Sequence, residues 1–469
     1  MKRTFRICLV ITLILLFVYL LVIVDYGEFT SPLPIIYSNQ CHISDWNHVE
    51  THSISPSFRN AMSRHLWMTL DLSREVSNLH STLSISHFQG SQNYTQLSLI
   101  GAYVYPKYIS ITINSQSMVK QSVYCRYFDC KRNELVGSEW KGVIFPESVV
   151  HCPRRKGAEF VSVTEEMRDE PPTPMKLKYR IYERPVHNLS ICVAAFYGNE
   201  PKWIQIAEFI EHHKMEGATF FYFHIGHISS YDRRILDEYQ NSGDIEVKVL
   251  QEKYERPFYA WQLIEIQDCH MRSKYHSKWT AFIDIDERIH TTEKNKTFID
   301  ILNELDGTNV SEIKMPHVKV VKNGETPPKY ENSEQIKREI FTRKYTKTAP
   351  PAWFASKAVI RPDRIGIMSI HEVIALEPGY KSIEMDSEKL TFRHYKDTLH
   401  RVSGNDWAQN ETISDNPISS EYTDLLAKKV IEKVKFVYEK VPANCSTIPV
   451  YMTSSRYFPD PCDKMLLTW

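Results

Sequence analysis

Two aspartates separated by one residue end an apolar run of the sequence. Residues 279–283 are apolar or small, and Asp284, Ile285, Asp286 and Glu287 follow them. A strand alternates its faces with a period of two, so Asp284 and Asp286 would project from the same side at its carboxyl end. Carboxylate oxygens are ligands that suit Mn²⁺ or Mg²⁺. The spacing therefore predicts a divalent-cation site, with Glu287 beside it.

Strands and helices alternate in the sequence before this motif. We expect strands at 191–197, 218–225 and 244–250, separated by helices at about 201–217, 229–243 and 258–273. This alternation predicts an α/β fold with a doubly wound, mostly parallel sheet. Ligands of such a sheet bind outside the carboxyl ends of its strands, which is where the two aspartates would lie.

Several nucleotide and hydrolase motifs are absent from the sequence. The loop at 197–202 holds one glycine instead of G-x-G-x-x-G, and the chain has neither a G-x-x-x-x-G-K-S/T loop nor a G-x-S-x-G elbow. The segment that begins with His371-Glu372 lacks the second histidine of H-E-x-x-H. These absences favour a metal ion that neutralises phosphate. Held by the aspartates, it would stabilise the charge that develops as a nucleoside diphosphate leaves.

Charge and size restrict the class of partner. The 469 residues are 42% hydrophobic and 24% charged, which predicts a globular chain with two folded units. Lysine and arginine together number 57, as do aspartate and glutamate, so the net charge is zero. Without a basic field, nucleic acid is disfavoured as a partner.

The N-terminal segment has the character of a membrane anchor. Residues 7–24 carry no charge and would span roughly 27 Å as a helix, about one bilayer core. Lys2, Arg3 and Arg6 precede them, and Asp25 follows. We therefore predict a type II topology, with a cytosolic tail at 1–6, an anchor at 7–24 and a lumenal stem at 25–90. A cleaved signal peptide is the alternative, but residues 25–28 offer no small-residue cleavage site.

Sequons and cysteines are consistent with a lumenal body. N-glycosylation sequons begin at Asn93, Asn188, Asn295, Asn309, Asn410 and Asn444. Eight cysteines lie outside the predicted anchor, at positions 41, 125, 130, 152, 192, 269, 445 and 462. We expect several of them to pair in an oxidising lumen, but not Cys192 and Cys269, which fall in apolar strand and helix patterns typical of buried thiols.

The remaining regions flank the α/β unit at 187–400. Short alternating runs at 91–186 predict a small β-rich, sandwich-like domain. At 401–469 we expect a helical extension, with a helix from about Tyr422 to Lys440 whose Leu425, Val430 and Val434 pack on the domain.

The order of motifs resembles glycosyltransferase family 92, especially its nematode members. The resemblance covers roughly residues 187–397 and rests on the segments 191–200, 209–213, 267–272 and 279–287. It implies a GT-A fold and an inverting transfer of galactose from UDP-galactose with Mn²⁺. It also implies a Golgi membrane protein that acts on a glycan acceptor, carried by a glycoprotein or glycolipid.

The resemblance also suggests roles for individual residues. Asp284 and Asp286 would bind the metal, with Glu287 beside them. Metal-binding histidines of GT-A enzymes commonly lie late in the domain, which favours His394 as the third ligand over its rival His371. The predicted nucleotide-sugar contacts are Glu200, Asp268, Arg272, Arg393 and Lys396, although Glu200, Asp268 and Arg272 could equally be helix caps or surface ion pairs.

Two questions stay open at the level of sequence. An inverting transfer needs a general base, for which Glu339 and Glu372 are candidates without an assignment. The fold could also belong to a catalytically inactive lumenal or cell-surface glycan-binding protein, or to a transferase of a different sugar.

Overall fold

The computed structural model describes residues 97–114, 119–196, 198–250, 258–293, 295–398 and 407–439. The predicted anchor at 7–24, the stem at 25–90, Cys445 and Cys462 lie outside these residues. Among the described helices, none combines the length and the apolar character that a bilayer span requires.

Residues 97–186 form two four-stranded sheets. Their order is β5-β2-β1-β8 and β4-β3-β6-β7. The strands are β1 (Ser98–Val104), β2 (Tyr108–Asn114), β3 (Ser122–Phe128), β4 (Trp140–Val143), β5 (Val149–Pro153), β6 (Phe160–Thr164), β7 (Met175–Lys176) and β8 (Lys178–Tyr179). Buried side chains of both sheets, such as Ile111 and Val163, share one apolar core. A disulfide between Cys125 and Cys152 links β3 to β5, and Cys130 is also disulfide-bonded. The prediction of small β sheets ahead of the α/β unit is confirmed.

The α/β unit follows from His187. Its strands are β9 (His187–Phe196), β10 (Phe220–Ile225), β11 (Ile245–Val249), β12 (Ser277–Ile283), β13 (Glu287–Thr291), β14 (Val310–Lys322), β15 (Lys347–Thr348), β16 (Ala352–Ile360), β17 (Ile365–Met368), β18 (Val373–Leu376), β19 (Lys381–Glu384), β20 (Leu390–Asp397) and β21 (Ser414–Asp415). Its helices are α1 (Trp203–Met215), α2 (Ser230–Asn241), α3 (Phe258–Ser273), α4 (Phe298–Asn303), α5 (Ser333–Glu339), α6 (Phe341–Lys344), α7 (Trp407–Asn410) and α8 (Ser420–Tyr438), with a 3₁₀ turn at Pro362–Arg364.

Four parallel strands form the first half of the large sheet. They lie in the order β11-β10-β9-β12, and α1, α2 and α3 connect them. Their apolar side chains are buried because helices cover the sheet, and the buried Ile191 and Phe221 pack in the same core as Phe209 of α1. Ser229 caps α2 by accepting a hydrogen bond from the backbone N–H of Asp232. The predicted alternation of strands and helices is confirmed over this half.

The second half of the sheet is assembled mainly from antiparallel pairs. β16 pairs antiparallel with β12 and with β14, and β13 pairs antiparallel with β20. β20 also lies parallel to β14. The sheet is therefore mixed beyond β12, and its antiparallel strands bring late parts of the chain back to the end of β12.

Helix α8 belongs to the core of the α/β unit. Its Leu426, Val430 and Val434 are buried in the same apolar cluster as the side chains of α1. The prediction that Leu425 packs on the domain is wrong, because this side chain is 48% exposed and its neighbour Leu426 takes the inward position. The predicted extension at 401–469 thus contributes one helix to the main core.

A disulfide links the first strand of the α/β unit to its longest crossover helix. Cys192 of β9 and Cys269 of α3 are bonded, with 6.2 Å between their Cα atoms. The prediction that both are free thiols is wrong. The sequence pattern correctly indicated apolar surroundings, since both side chains are buried. The packing of α3 on β9, however, brings the two cysteines within bonding reach.

Candidate active site

The chain turns sharply where β12 ends. Asp284 and Asp286 lie in this turn, with side chains 32% and 35% exposed, whereas Glu287, the first residue of β13, is fully buried. The buried Arg288 donates hydrogen bonds from Nη1 to the carbonyl oxygens of Ile285 and Glu287. The backbone N–H of Asp284 donates to Glu287 Oε2 at 2.8 Å. These contacts fix the turn, so both aspartates stay at the carboxyl edge of the sheet.

Strand β20 brings His394 to the two aspartates. β20 pairs with β13 so that His394 lies opposite Glu287, and the N–H of Tyr395 donates to the carbonyl of Asp286. The imidazole Nε2 lies 3.3 Å from Asp286 Oδ2, and Nδ1 lies 3.4 Å from Glu287 Oε1. A strand that returns to the aspartates is the geometry expected for His394.

Lys357 of β16 is the cation of this cluster. Its Nζ lies 2.7 Å from Asp284 Oδ2 and 3.2 Å from Glu287 Oε2, and its side chain is 6% exposed. Burial lowers the pKa of Lys357, but Asp284 and Glu287 together raise it above its ordinary value. The lysine therefore stays charged and holds two of the three carboxylates. Sequence reasoning missed it because no local motif surrounds it.

The electrostatics of the cluster follow from burial and from these pairs. Burial raises the pKa of Glu287 to about 7, with Lys357 opposing and Asp284 reinforcing the shift. Burial also lowers the pKa of His394, but Asp286, Glu287 and Asp284 together raise it above its ordinary value. Burial raises the pKa of Asp286, but His394, Lys357 and a backbone hydrogen bond together lower it below its ordinary value. Asp286 and His394 thus each favour the charged form of the other.

His371 lies near the cluster but makes a different contact. Its Nδ1 is 3.2 Å from the carbonyl oxygen of Ser356, on the strand that carries Lys357. Burial lowers the pKa of His371, and the charge of Lys357 adds to this effect. Among the described contacts, ion pairs to Asp286 and Glu287 are made by His394 and not by His371.

A small cavity adjoins Asp284 at the ends of the parallel strands. Its volume is about 20 Å³, and it is lined by Cys192, Val193 and Ala194 of β9, His224 of β10, Gln262, Glu265 and Ile266 of α3, Phe282, Ile283 and Asp284 of the β12 end, Lys357 and Ile370. His224 Nε2 is 2.8 Å from Asp268 Oδ2, while its Nδ1 has no hydrogen-bond partner. The backbone N–H of Ala195 donates to Glu265 Oε2. Polar groups thus converge on an otherwise apolar recess, and of those that line it the sequence analysis identified only Asp284.

Asp268 and Arg272 were expected to contact the nucleotide, but the structure places them elsewhere. Both are buried on α3. Asp268 accepts hydrogen bonds from Tyr103 Oη and Lys248 Nζ, each at 2.8 Å. Arg272 Nη2 donates to the carbonyl oxygen of Glu246 at 2.9 Å. Asp268 is therefore used where the β-rich region meets α3, and Arg272 is used where α3 meets β11.

The other residues expected to contact the nucleotide lie in different positions relative to the cluster. Arg393 alternates with His394 along β20, is buried, and donates from Nη1 to the carbonyl oxygen of Asn416, so it does not face the cluster. Lys396 shares the face of His394 and is half-buried. The side chain of Glu200 is 67% exposed in the loop after β9, where it pairs with Lys202.

Neither candidate base is brought into the cluster by a described contact. Glu339, at the end of α5, pairs with Arg338 and Lys344. Glu372 is half-exposed and pairs with Lys314 at 2.6 Å. Glu372 is adjacent in sequence to His371.

Comparisons with protein families and curated proteins agree on one family. The model of glycosyltransferase family 92 matches residues 187–434. The β-1,4-galactosyltransferase galt-1 of Caenorhabditis elegans is 23% identical over 275 residues, which cover 53% of this chain and 60% of that protein. A glycosyltransferase family 92 protein of Oryza sativa subsp. japonica is 23% identical over 234 residues, which cover 48% of this chain and 36% of that protein. The matched region therefore spans less than two thirds of either relative.

Solved structures match only loosely. The crystal structure of S. aureus TarS 1-349 gives a TM-score of 0.25 at 12% identity, covering 54% of this chain and 73% of that one. The same protein in complex with UDP-GlcNAc gives a TM-score of 0.25 at 11% identity, with the same coverage.

Proposed function

Because this chain belongs to glycosyltransferase family 92, we propose that it transfers a hexose, galactose in the first instance, from a UDP-sugar to a glycan acceptor with inversion. The choice of galactose is supported by the activity named for the nematode relative. The fold proposed for residues 187–400 is GT-A. The order β11-β10-β9-β12 of its parallel strands, with the aspartates at the end of β12, supports this.

The observation that carries the proposal is the position of the carboxylate cluster. Asp284 and Asp286 are partly exposed at the carboxyl edge of the parallel strands, and the cavity between β9, β10 and α3 opens beside Asp284. This edge is where doubly wound sheets bind their ligands. At about 20 Å³ the cavity accommodates only a water-sized group, so a nucleotide would lie outside it, along the edge that carries Asp284.

A divalent cation fits the residues at the edge. Among the described residues, no three His, Cys, Asp or Glu side chains are already arranged to hold a metal ion. The donor set nevertheless suits Mn²⁺ or Mg²⁺, because it combines two partly exposed carboxylates with an imidazole 3.3 Å from one of them. We propose Asp284, Asp286 and His394 as the ligands. The bound ion would supply positive charge to the diphosphate of the donor.

Residues of the chain itself provide the remaining electrostatics. Lys357 neutralises Glu287 and holds Asp284 in place at the edge. Lys396, on the same face of β20 as His394, is a further cation that can attract the diphosphate. The general base for the acceptor hydroxyl is left unassigned, since the described contacts of Glu339 and Glu372 are with lysines and an arginine.

The test is a donor screen with the full-length protein in detergent. Nucleotide sugars are supplied with Mn²⁺, and release of UDP is measured with and without a mixture of oligosaccharides. We expect UDP-galactose to be the preferred donor, and EDTA to suppress turnover. Asp286→Asn should abolish turnover. The exposed Asp237, which pairs with Arg233 on α2, provides the control Asp237→Asn. Equal activity of the two variants would contradict the proposed role of the aspartate edge.

We also propose a type II orientation in the Golgi membrane. The support is the uncharged segment at 7–24, its basic N-terminal flank and the sequons. A reporter fused after Trp469 should be lumenal, and N-glycanase should lower the mass of the protein. A cytosolic reporter would reverse the proposed orientation.

A further inference from the structure

Two aromatic side chains next to the candidate site are exposed. Phe354 is 85% exposed and Trp353 is 43% exposed, although the last four residues of their strand, β16, are buried. The two rings are neighbours in sequence, and both are exposed within the described part of the chain. Large aromatic side chains left exposed beside a ligand-binding edge can contact a ligand there.

A bulge in β16 explains this exposure. Met315 of β14 pairs with Lys357, and His317 pairs with Ala352, so residues 353–356 lie opposite the single residue Pro316. Proline has no N–H to donate to the neighbouring strand. Ala355 within the bulge has a φ of 56°, which is unfavourable for a residue with a Cβ atom. Bulges and strained residues of this kind occur next to active sites, where they redirect side chains.

The bulge is continuous with the aspartate edge. It ends at Lys357, whose Nζ contacts Asp284 and which also lines the cavity. Trp353 is four positions before Lys357, so their Cα atoms are at most about 14 Å apart, which is within the length of a short saccharide. His371 borders the bulge, because its Nδ1 contacts the carbonyl oxygen of Ser356.

We propose that Trp353 and Phe354 form the platform on which a ring of the acceptor saccharide stacks. This inference rests on the proposed transfer function. One face of a pyranose consists of C–H groups and packs well on an aromatic ring, whereas its hydroxyls need hydrogen-bond partners at the edge. His371, exposed beside the bulge, offers such a partner. Stacking of C–H groups on an uncharged ring requires no charge on the sugar, so a neutral pyranose suffices as the bound unit.

The test separates acceptor binding from donor turnover. Full-length protein with UDP and Mn²⁺ is applied to an array of immobilised neutral oligosaccharides. Hydrolysis of UDP-galactose without acceptor is measured in parallel. Trp353→Ala and Phe354→Ala should each weaken saccharide binding by about tenfold and leave hydrolysis unchanged. Phe354→Tyr retains the ring and should bind like the wild type. Phe436→Ala, on the half-exposed face of α8, is the control for loss of an exposed ring.

Each outcome bears on one proposal. Hydrolysis by the wild type with no saccharide binding, or with binding unaffected by both alanine variants, overturns the platform while the transferase proposal stands. Loss of binding in Phe354→Ala together with retention in Phe354→Tyr supports the platform. Absence of both hydrolysis and binding in the wild type refutes the transferase proposal itself.

Discussion

Replacement of Lys357 by methionine tests the electrostatic core of the site. Methionine keeps much of the length of the side chain but removes the charge that lies 2.7 Å from Asp284 and 3.2 Å from Glu287. At an effective dielectric constant of about 20, Coulomb's law gives attractions of roughly 6 and 5 kcal/mol at these separations, most of which offsets the desolvation of the buried ammonium group. Removing one partner leaves Glu287 buried without its cation. We therefore expect the free energy of unfolding to fall by about 3–5 kcal/mol.

The assay is urea unfolding of the full-length protein in detergent, followed by tryptophan fluorescence. Lys314→Met is the matched control. Lys314 lies on β14, the neighbour of β16, and pairs with the half-exposed Glu372 at 2.6 Å. A partly exposed ion pair of that kind contributes about 0–1 kcal/mol to the free energy of unfolding. Added Mn²⁺ should restore part of the stability lost in Lys357→Met, since a cation that binds only the folded state stabilises it.

A loss in Lys357→Met no larger than that in Lys314→Met would refute this reasoning. It would mean that the two carboxylates are as well solvated as the surface pair. A loss of the expected size that Mn²⁺ does not reduce would retain the ion pair but contradict a cation site beside it.

The remaining predictions concern the proposed metal ligands and one buried acid. His394→Ala should raise the Mn²⁺ concentration for half-maximal turnover far more than His371→Ala, because His394 pairs with Asp286; the reverse result would exchange their roles. Mn²⁺ should raise the melting temperature of the wild type but not that of Asp286→Asn, and an equal increase in both would exclude Asp286 as a ligand. Burial raises the pKa of Glu216 to about 7, above its unfolded value, so the folded state retains a proton that the unfolded state loses. The free energy of unfolding should therefore fall as pH rises from about 4.5 to 7, by roughly 3 kcal/mol at most. Glu216→Gln should remove this loss. If the pH profile of unfolding were the same in Glu216→Gln as in the wild type, the assignment to Glu216 would be contradicted.

Local sequence patterns were sufficient for the parallel half of the fold. Apolar runs with β-branched and aromatic residues predicted the strands, and helical periodicity placed α3 at Phe258–Ser273. These signals are local because each strand or helix forms from neighbouring residues, and burial on both faces leaves an almost continuous apolar run. The pair Asp284 and Asp286 could be predicted for the same reason, since its position at a strand end depends only on the strand before it.

The contacts of single polar residues could not be predicted from local sequence patterns. Asp268 and Arg272 have the types and spacing of ligand contacts, yet the β-rich region covers them, and Tyr103 supplies a partner from 165 residues away. Arg393 faces away from His394 because adjacent residues of a strand point to opposite sides. The disulfide between Cys192 and Cys269 likewise depends on how α3 packs on β9.

The sequence by itself determined the α/β class, the edge that carries the aspartates and the family to which the chain belongs. Only the tertiary structure decided what surrounds that edge. Lys357 is separated from Asp284 by 73 positions and reaches it because β16 pairs antiparallel with β12. His394 reaches Asp286 through the register of β20 on β13, and the exposed rings of the bulge depend on the register of β16 on β14. The alternation of residues within one strand determines which face is buried, but which distant strand it pairs with depends on the packing of the whole sheet.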